Sequence, residues 1–210
     1  MIDISYKIEF FDNWHTGSGL SAGADLDDLV IKDTDKLPFV PGKTIKGLVR
    51  QALEDILAFK GDVDDKKMKI EETFGLLKEE PVLKDVANKS DVDEIETEIN
   101  RLVRGTVFFT NATISDELSN KIKNSDLQKY LYSRLASTAI GEDGIAKEHS
   151  LRQMEVTIPC VLYGKIYGID SHLKENMIDA LSFIKRLGVN RNRGLGRCQF
   201  SVTKIEEGKS

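Results

Sequence analysis

Residues 2–10 alternate without a break. Ile2, Ile4, Tyr6, Ile8 and Phe10 point one way, and Asp3, Ser5, Lys7 and Glu9 the other. That period is the signature of a half-buried β-strand. Past Thr44 the period becomes helical. Ile45, Leu48, Val49, Leu53, Ile56 and Leu57 fall at i, i+3, i+4, i+8, i+11 and i+12, which predicts an amphipathic helix from about Lys43 to Phe59. Strand character returns from Gly105 to Ile114 and from Glu155 to Ile169, where Pro159 implies an edge position or a bulge. A second helical stripe, Leu173, Met177, Ile178, Leu181, Ile184 and Leu187, spans Ser171 to Leu187, with Ser171 to cap it and Gly188 to end it. Arg197 to Ile205 reads as the final strand. The order is βαββαβ, the α+β arrangement of a ferredoxin-like (RRM-like) fold.

The connections are uneven. A Gly/Ser/Ala-rich loop covers His15 to Ala24, and residues 29–40 read as a short strand and a turn. Residues 60–104 form a charged insertion in which Asp91 to Arg104 reads as a solvated helix. Residues 115–135 look polar and mostly helical, and 136–154 read as a long excursion with Gly141 and Gly144. No internal repeat is visible, and residues 1–210 are expected to form one domain.

The net charge is −5, but it is not evenly spread. Residues 54–98 carry 15 acids and 7 bases, leaving 20 acids and 23 bases elsewhere. An acidic segment turned away from a groove does not prevent binding to a polyanion. Two isolated cysteines, Cys160 and Cys198, suit neither a disulfide framework nor a zinc site and are expected to be buried, reduced thiols. No apolar run approaches the roughly 18–20 residues of a membrane span, and no secretion pattern opens the chain. A cytoplasmic protein with no membrane partner is expected.

The residues that suggest chemistry are few. Lys185 to Arg197 holds five Lys/Arg, three Gly and no acid. Glycines admit a close backbone approach, and arginines fork onto phosphate oxygens. Gly194-Leu195-Gly196 follows a helix and opens a strand, the reverse of a dinucleotide fingerprint; with Arg191, Arg193 and Arg197 it favours a polyanion. Pro41-Gly42-Lys43-Thr44 resembles the end of a P-loop, but Leu37 stands where that motif needs glycine. It reads instead as a turn opening a helix, from which Lys43 and Lys46 would reach phosphates. Asp25, Asp27 and Asp28 cluster after the flexible loop. They are either solvated turn carboxylates or a carboxylate held beside a phosphodiester, alone or with a metal. His15, next to Trp14, is either a hydrogen-bonded structural histidine or a general acid/base; His149 lies in the excursion, and His172 at a helix start.

Taken together these segments resemble one family. Pro38-Phe39-Val40-Pro41-Gly42-Lys43-Thr44-Ile45-Lys46-Gly47-Leu48-Val49-Arg50 is similar to the "IPGSSLKGxLR" signature of the RAMP proteins of CRISPR systems. Asn192-Arg193-Gly194-Leu195-Gly196-Arg197 resembles their C-terminal glycine-rich loop. Phe74-Gly75 with Gly105-Thr106-Val107-Phe108-Phe109 resembles their "FG…GxLxF" section, and Ser150 to Glu155 the junction after a central hairpin. The match runs in order along nearly the whole chain.

The resemblance is strongest to the repeated backbone subunit of type III CRISPR effector complexes. It implies a ferredoxin-like palm with a β-hairpin thumb at about 138–155, and copies that stack along a guide RNA beside other type III subunits. The thumb would splay the guide–target duplex, and a loop aspartate would cut the complementary target RNA at regular intervals with a divalent metal, Mg2+ or Mn2+. The family aspartate precedes a "VIKD"-like stretch by three residues. Val30-Ile31-Lys32-Asp33 therefore points to Asp27, with Asp25 and Asp28 as neighbouring alternatives. The resemblance assigns guide contacts to Lys43, Lys46, Arg50, Arg152, Arg191, Asn192, Arg193, Gly194, Gly196 and Arg197. Such contacts go to phosphates and 2′-hydroxyls rather than base edges. Two rivals stand: a non-catalytic RAMP subunit capping the complex, and a metal-independent guide-processing endoribonuclease using His15.

Overall fold

A computed structural model describes residues 1–21, 26–60, 70–75, 105–142 and 144–207. Strand β1, Ile2–Phe10, is buried at every second residue, as its alternation predicts. It is the central strand of an antiparallel sheet. β7 (Val161–Ile169) pairs on one side and β8 (Cys198–Glu207) on the other. Beyond β7 lie the short strands β3 (Phe108–Phe109) and β4 (Ala112–Thr113), and β2 (Phe39–Val40) pairs with β4. The last strand thus lies beside the first, and the β3–β4 segment runs along the outer side of β7. With two crossover helices this is the ferredoxin-like order read from the sequence.

Helix α1, Gly42–Phe59, buries Ile45, Val49, Ala52, Leu53 and Leu57. It packs against α3, Lys174–Phe183, which buries Met177, Ala180 and Leu181. The inward residues of β1 and β7 join these helices in one apolar cluster. Each such aliphatic side chain contributes about 1.5–3 kcal/mol on burial. Phe10 and Trp14 stack at 4.4 Å where β1 leaves the sheet, and Trp14 Nε1 donates to the Ile158 carbonyl at 3.2 Å. The core also takes Ile70 and Phe74 from the segment read as an insertion. The solvated helix expected at Asp91–Arg104 lies outside the described residues.

Four readings need correction. Residues 115–135 are not one helix. Helix α2 covers only Asp116–Asn124, capped by Ser115, which accepts from Leu118 N–H. A 3-10 turn at Gln128–Leu131 leads into strand β5, Tyr132–Ser137. Second, the hairpin strands are β5 and β6 (Arg152–Thr157), so the hairpin begins near Tyr132 rather than Thr138. Third, Pro159 marks neither an edge nor a bulge within one strand. It separates β6, in a two-stranded sheet, from β7, in the main sheet. Fourth, the last helix stops at Phe183. Ile184 is already extended, and Ile184 and Leu187 stay buried without helical geometry.

Cys198 is buried and Cys160 half-buried; both are free thiols. Burial pushes Cys198 up to about 12, against a smaller opposing pull from Lys185, and Cys160 up to about 11. A raised thiol pKa keeps the unreactive protonated form through neutral pH. Neither cysteine should react with a thiol reagent within minutes at pH 8 in the native chain, and both should react in guanidinium. Labelling of either at the rate of a free thiol would show that its site opens to solvent. Among the described residues no helix is long and apolar enough to cross a membrane.

Candidate nucleic-acid interface

Three segments distant in sequence meet at the end of β1. The first is residues 13–21 and 26–32, the second is β6, and the third is residues 184–197. Their meeting point is His15, which is fully buried. Its carbonyl accepts from Val189 N–H at 2.9 Å. Its ring Nδ1 lies 2.6 Å from the Glu155 carbonyl. A carbonyl only accepts, so Nδ1 carries the hydrogen and donates. Nε2 is buried with no hydrogen-bond partner among the described residues, and Asp28 Oδ1 is 4.0 Å away. A buried imidazole so held does not reach an RNA strand, and this geometry favours the structural reading of His15 over the acid/base one.

The segment bearing Asp27 and Asp28 lies along the free edge of β6. Trp14 and Thr157 exchange two backbone hydrogen bonds, at 3.0 and 2.8 Å. Glu155 N–H donates to the Asp28 carbonyl at 2.9 Å, and Asp27 N–H to the Gln153 carbonyl at 2.8 Å. Gln153 N–H in turn donates to Asp27 Oδ2 at 2.8 Å. A side-chain carboxylate thus takes the place of a carbonyl in the ladder. Asp27 is exposed, and Asp28 is partly so. The Glu155 carboxylate closes the arrangement: it accepts from Val30 N–H at 3.2 Å and from Lys32 Nζ at 2.8 Å. Lys32 also sits 4.1 Å from the Tyr132 ring centroid, tying β5 to the same loop. Asp25 lies outside the described residues.

The glycine loop packs on the other side of His15. Leu187 N–H donates to Gly196 O, and Gly196 N–H to Asn13 O. Gly196 has φ +68 and is buried against the Leu187 carbonyl, so it holds the loop closed. Gly194, at φ +90, has no atom within 4 Å of a built Cβ, and Arg191, Asn192 and Arg193 beside it are exposed. Arg197 pairs with Asp12 at 3.2 Å and lies over the Phe11 ring. Asn190 reaches back to Met154 Sδ of β6 at 3.3 Å. Exposed Arg152 neighbours Gln153, so Arg152 lies on the hairpin strand to which the Asp27 loop is bonded.

Strand β2, just ahead of α1, joins the first segment. Thr16 Oγ1 donates to the Phe39 carbonyl at 3.3 Å, and Ile31 N–H to Thr16 O. Lys43 is exposed in the first turn, and Gly42 N–H is held by Asn111 Oδ1. Lys46 is half-buried, and burial, then the Arg50 charge, lowers its pKa. Arg50 is occupied: Nε donates to Glu54 and Nη1 to the Gly75 carbonyl at 2.7 Å. It fastens residues 70–75 to the helix. Sequence reasoning missed Glu155 as a hub and Gln153 as the partner of Asp27, because both bonds span over 120 residues and no local pattern announces them.

The sequence model described as RAMP superfamily matches residues 7–199. No curated protein matches the chain. Among solved structures, the chain is similar to one in a cryo-EM structure of type III-B Cmr-beta in the apo state. The TM-score is 0.58 at 13% identity, covering 96% of this chain and 97% of that one. It is also similar to a chain of type III-B Cmr-beta bound to cognate target RNA, with TM-score 0.55, 14% identity and coverage of 95% and 96%. At these identities the likeness is one of fold.

Proposed function

Because the chain belongs to the RAMP superfamily, we propose that it is a guide-RNA-binding backbone subunit of a type III CRISPR complex, and that it cuts complementary target RNA beside Asp27. The observation that carries this reading is the placement of Asp27. It is exposed on a loop locked to the hairpin strand β6, with the basic glycine loop on the far side of the same joint. Fold likeness to chains of type III-B Cmr-beta, one of them in a structure bound to cognate target RNA, supports the assembly and the ligand.

Arg152, Arg191, Asn192, Arg193 and Lys43 are the exposed groups suited to hold guide phosphates, and Gly194 leaves room for the strand to approach. Such binding is independent of base sequence. Asp27 would hold a proton or a cation beside the target 2′-hydroxyl, once that hydroxyl is aligned with its phosphorus. Among the described residues no three His, Cys, Asp or Glu side chains converge to cage a metal. Mg2+ is often held by one or two carboxylates plus substrate phosphates, and exposed Asp27 fits that mode. A bound divalent ion would neutralise charge developing at the phosphate. Copies of the chain and other type III subunits complete the assembly.

The test is a complex assembled with guide RNA and given end-labelled complementary RNA. Evenly spaced fragments that form with Mg2+ or Mn2+ and vanish in EDTA are expected. Equal cutting in EDTA would transfer the chain to the metal-independent class. No cutting, with one copy per complex, would make it a capping subunit.

A further inference from the structure

We infer that His15 is a positioning residue: its Nδ1–H bond to the Glu155 carbonyl sets the Asp27–Asp28 segment in register with the hairpin strand. This rests on the proposed role of Asp27. The geometry singles out one nitrogen. Nδ1 donates at 2.6 Å to a strand residue whose own N–H holds the Asp28 carbonyl and whose carboxylate holds Val30 and Lys32. The bond therefore holds the same free edge of β6 along which Asp27 and Asp28 take their register. The His15 backbone is fixed as well, since Val189 N–H donates to its carbonyl and Gly188 packs directly on that oxygen. Nε2 faces Gly17 and the Asp28 carboxylate and is shut off from solvent.

Loss of the bond leaves a part-buried carbonyl without its donor. It also frees the segment to slide along β6. Asp27 is bound to Gln153 through its own carboxylate, so a slide rotates that carboxylate away from the RNA. A displacement near 1 Å at a reacting group costs about 100-fold in rate.

Two side chains separate the nitrogens. His15→Asn carries its amide nitrogen where Nδ1 stands, one bond beyond Cγ. His15→Gln carries its amide nearer the Nε2 position and loses the Nδ1 donor. In the guide-loaded complex, His15→Asn is expected to cut within about threefold of wild type, and His15→Gln about 100-fold more slowly. Amide hydrogen exchange at residues 26–31 and 152–157 is read alongside. It should stay slow in His15→Asn and accelerate in His15→Gln. His15→Asn as inactive as His15→Gln, with exchange still slow, would assign chemistry to Nε2 and overturn the inference. Wild-type exchange in both variants would overturn it as well. If the wild-type complex does not cut at all, the nuclease reading fails, while the exchange comparison still decides the positioning role.

Discussion

Asp27→Asn is expected to slow target cutting by at least about 100-fold, the usual contribution of a positioned acid–base group, while guide binding stays within about twofold. The two halves of the prediction have different causes. An asparagine Oδ1 still accepts from Gln153 N–H, and the backbone bond from residue 27 to the Gln153 carbonyl does not involve the side chain. The segment therefore keeps its place on β6. The exposed site bears no buried charge, so the substitution should change stability by less than about 0.5 kcal/mol. What disappears is the negative charge able to hold a proton or a cation near the target strand. Asp27→Ala removes the Gln153 contact too and would confuse displacement with lost chemistry. The isosteric variant is the cleaner measurement. Asp28→Asn and Asp25→Asn are its controls. Undiminished cutting by Asp27→Asn with loss in either control would move the assignment along the loop. Cutting at wild-type rate in all three would remove the loop carboxylates from the reaction.

The sequence made the main sheet and its helices legible because both bury a periodic face. The nine residues of β1 alternate, and all five inward ones are buried. The stripe of α1 is likewise the face turned to the core. Strand β5 was illegible for the opposite reason. Tyr132–Ser137 is held by pairing with β6 and shows almost no buried face, so its polar residues carry no period of two. The tail of the second helix misled in another way. Ile184 and Leu187 sit three apart, which suits a helix. They are buried instead in an extended run, where Arg186 bridges Arg197. At the candidate site, residue types suggested a basic loop and a loop carboxylate. Their joint could not be read, because His15, Asp27, Gln153 and Glu155 come together only after β6 swings away from β7 at Pro159. Gly196 shows the same limit: its composition suggested a ligand cradle, and its position makes it part of the loop's closure.

That difference between two glycines predicts a large effect on stability. Gly196→Ala is expected to lower the melting temperature by about 4–16 °C, and Gly194→Ala by only about 2–4 °C, taking roughly 2–4 °C per kcal/mol for a chain of this size. Both residues have positive φ, +68 and +90, so each alanine incurs a backbone strain of about 1 kcal/mol. Only Gly196 also meets an atom. A Cβ there would overlap the Leu187 carbonyl oxygen. That oxygen cannot retreat freely, because Leu187 N–H and Gly196 N–H are both engaged, the one with Gly196 O and the other with Asn13 O. Overpacking against fixed backbone adds about 1–3 kcal/mol. The built Cβ of Gly194 meets nothing within 4 Å. Gly194→Ala should therefore leave the loop intact, and any loss of guide binding it causes would come from the methyl group standing where the strand approaches. Gly196→Ala should weaken binding by displacing Arg191 and Arg193 together. Thermal unfolding of the two variants, with guide affinity measured at one fixed salt concentration, reads both effects. Equal melting shifts would place the whole cost in the backbone angle and sink the argument that the Leu187 carbonyl closes the loop.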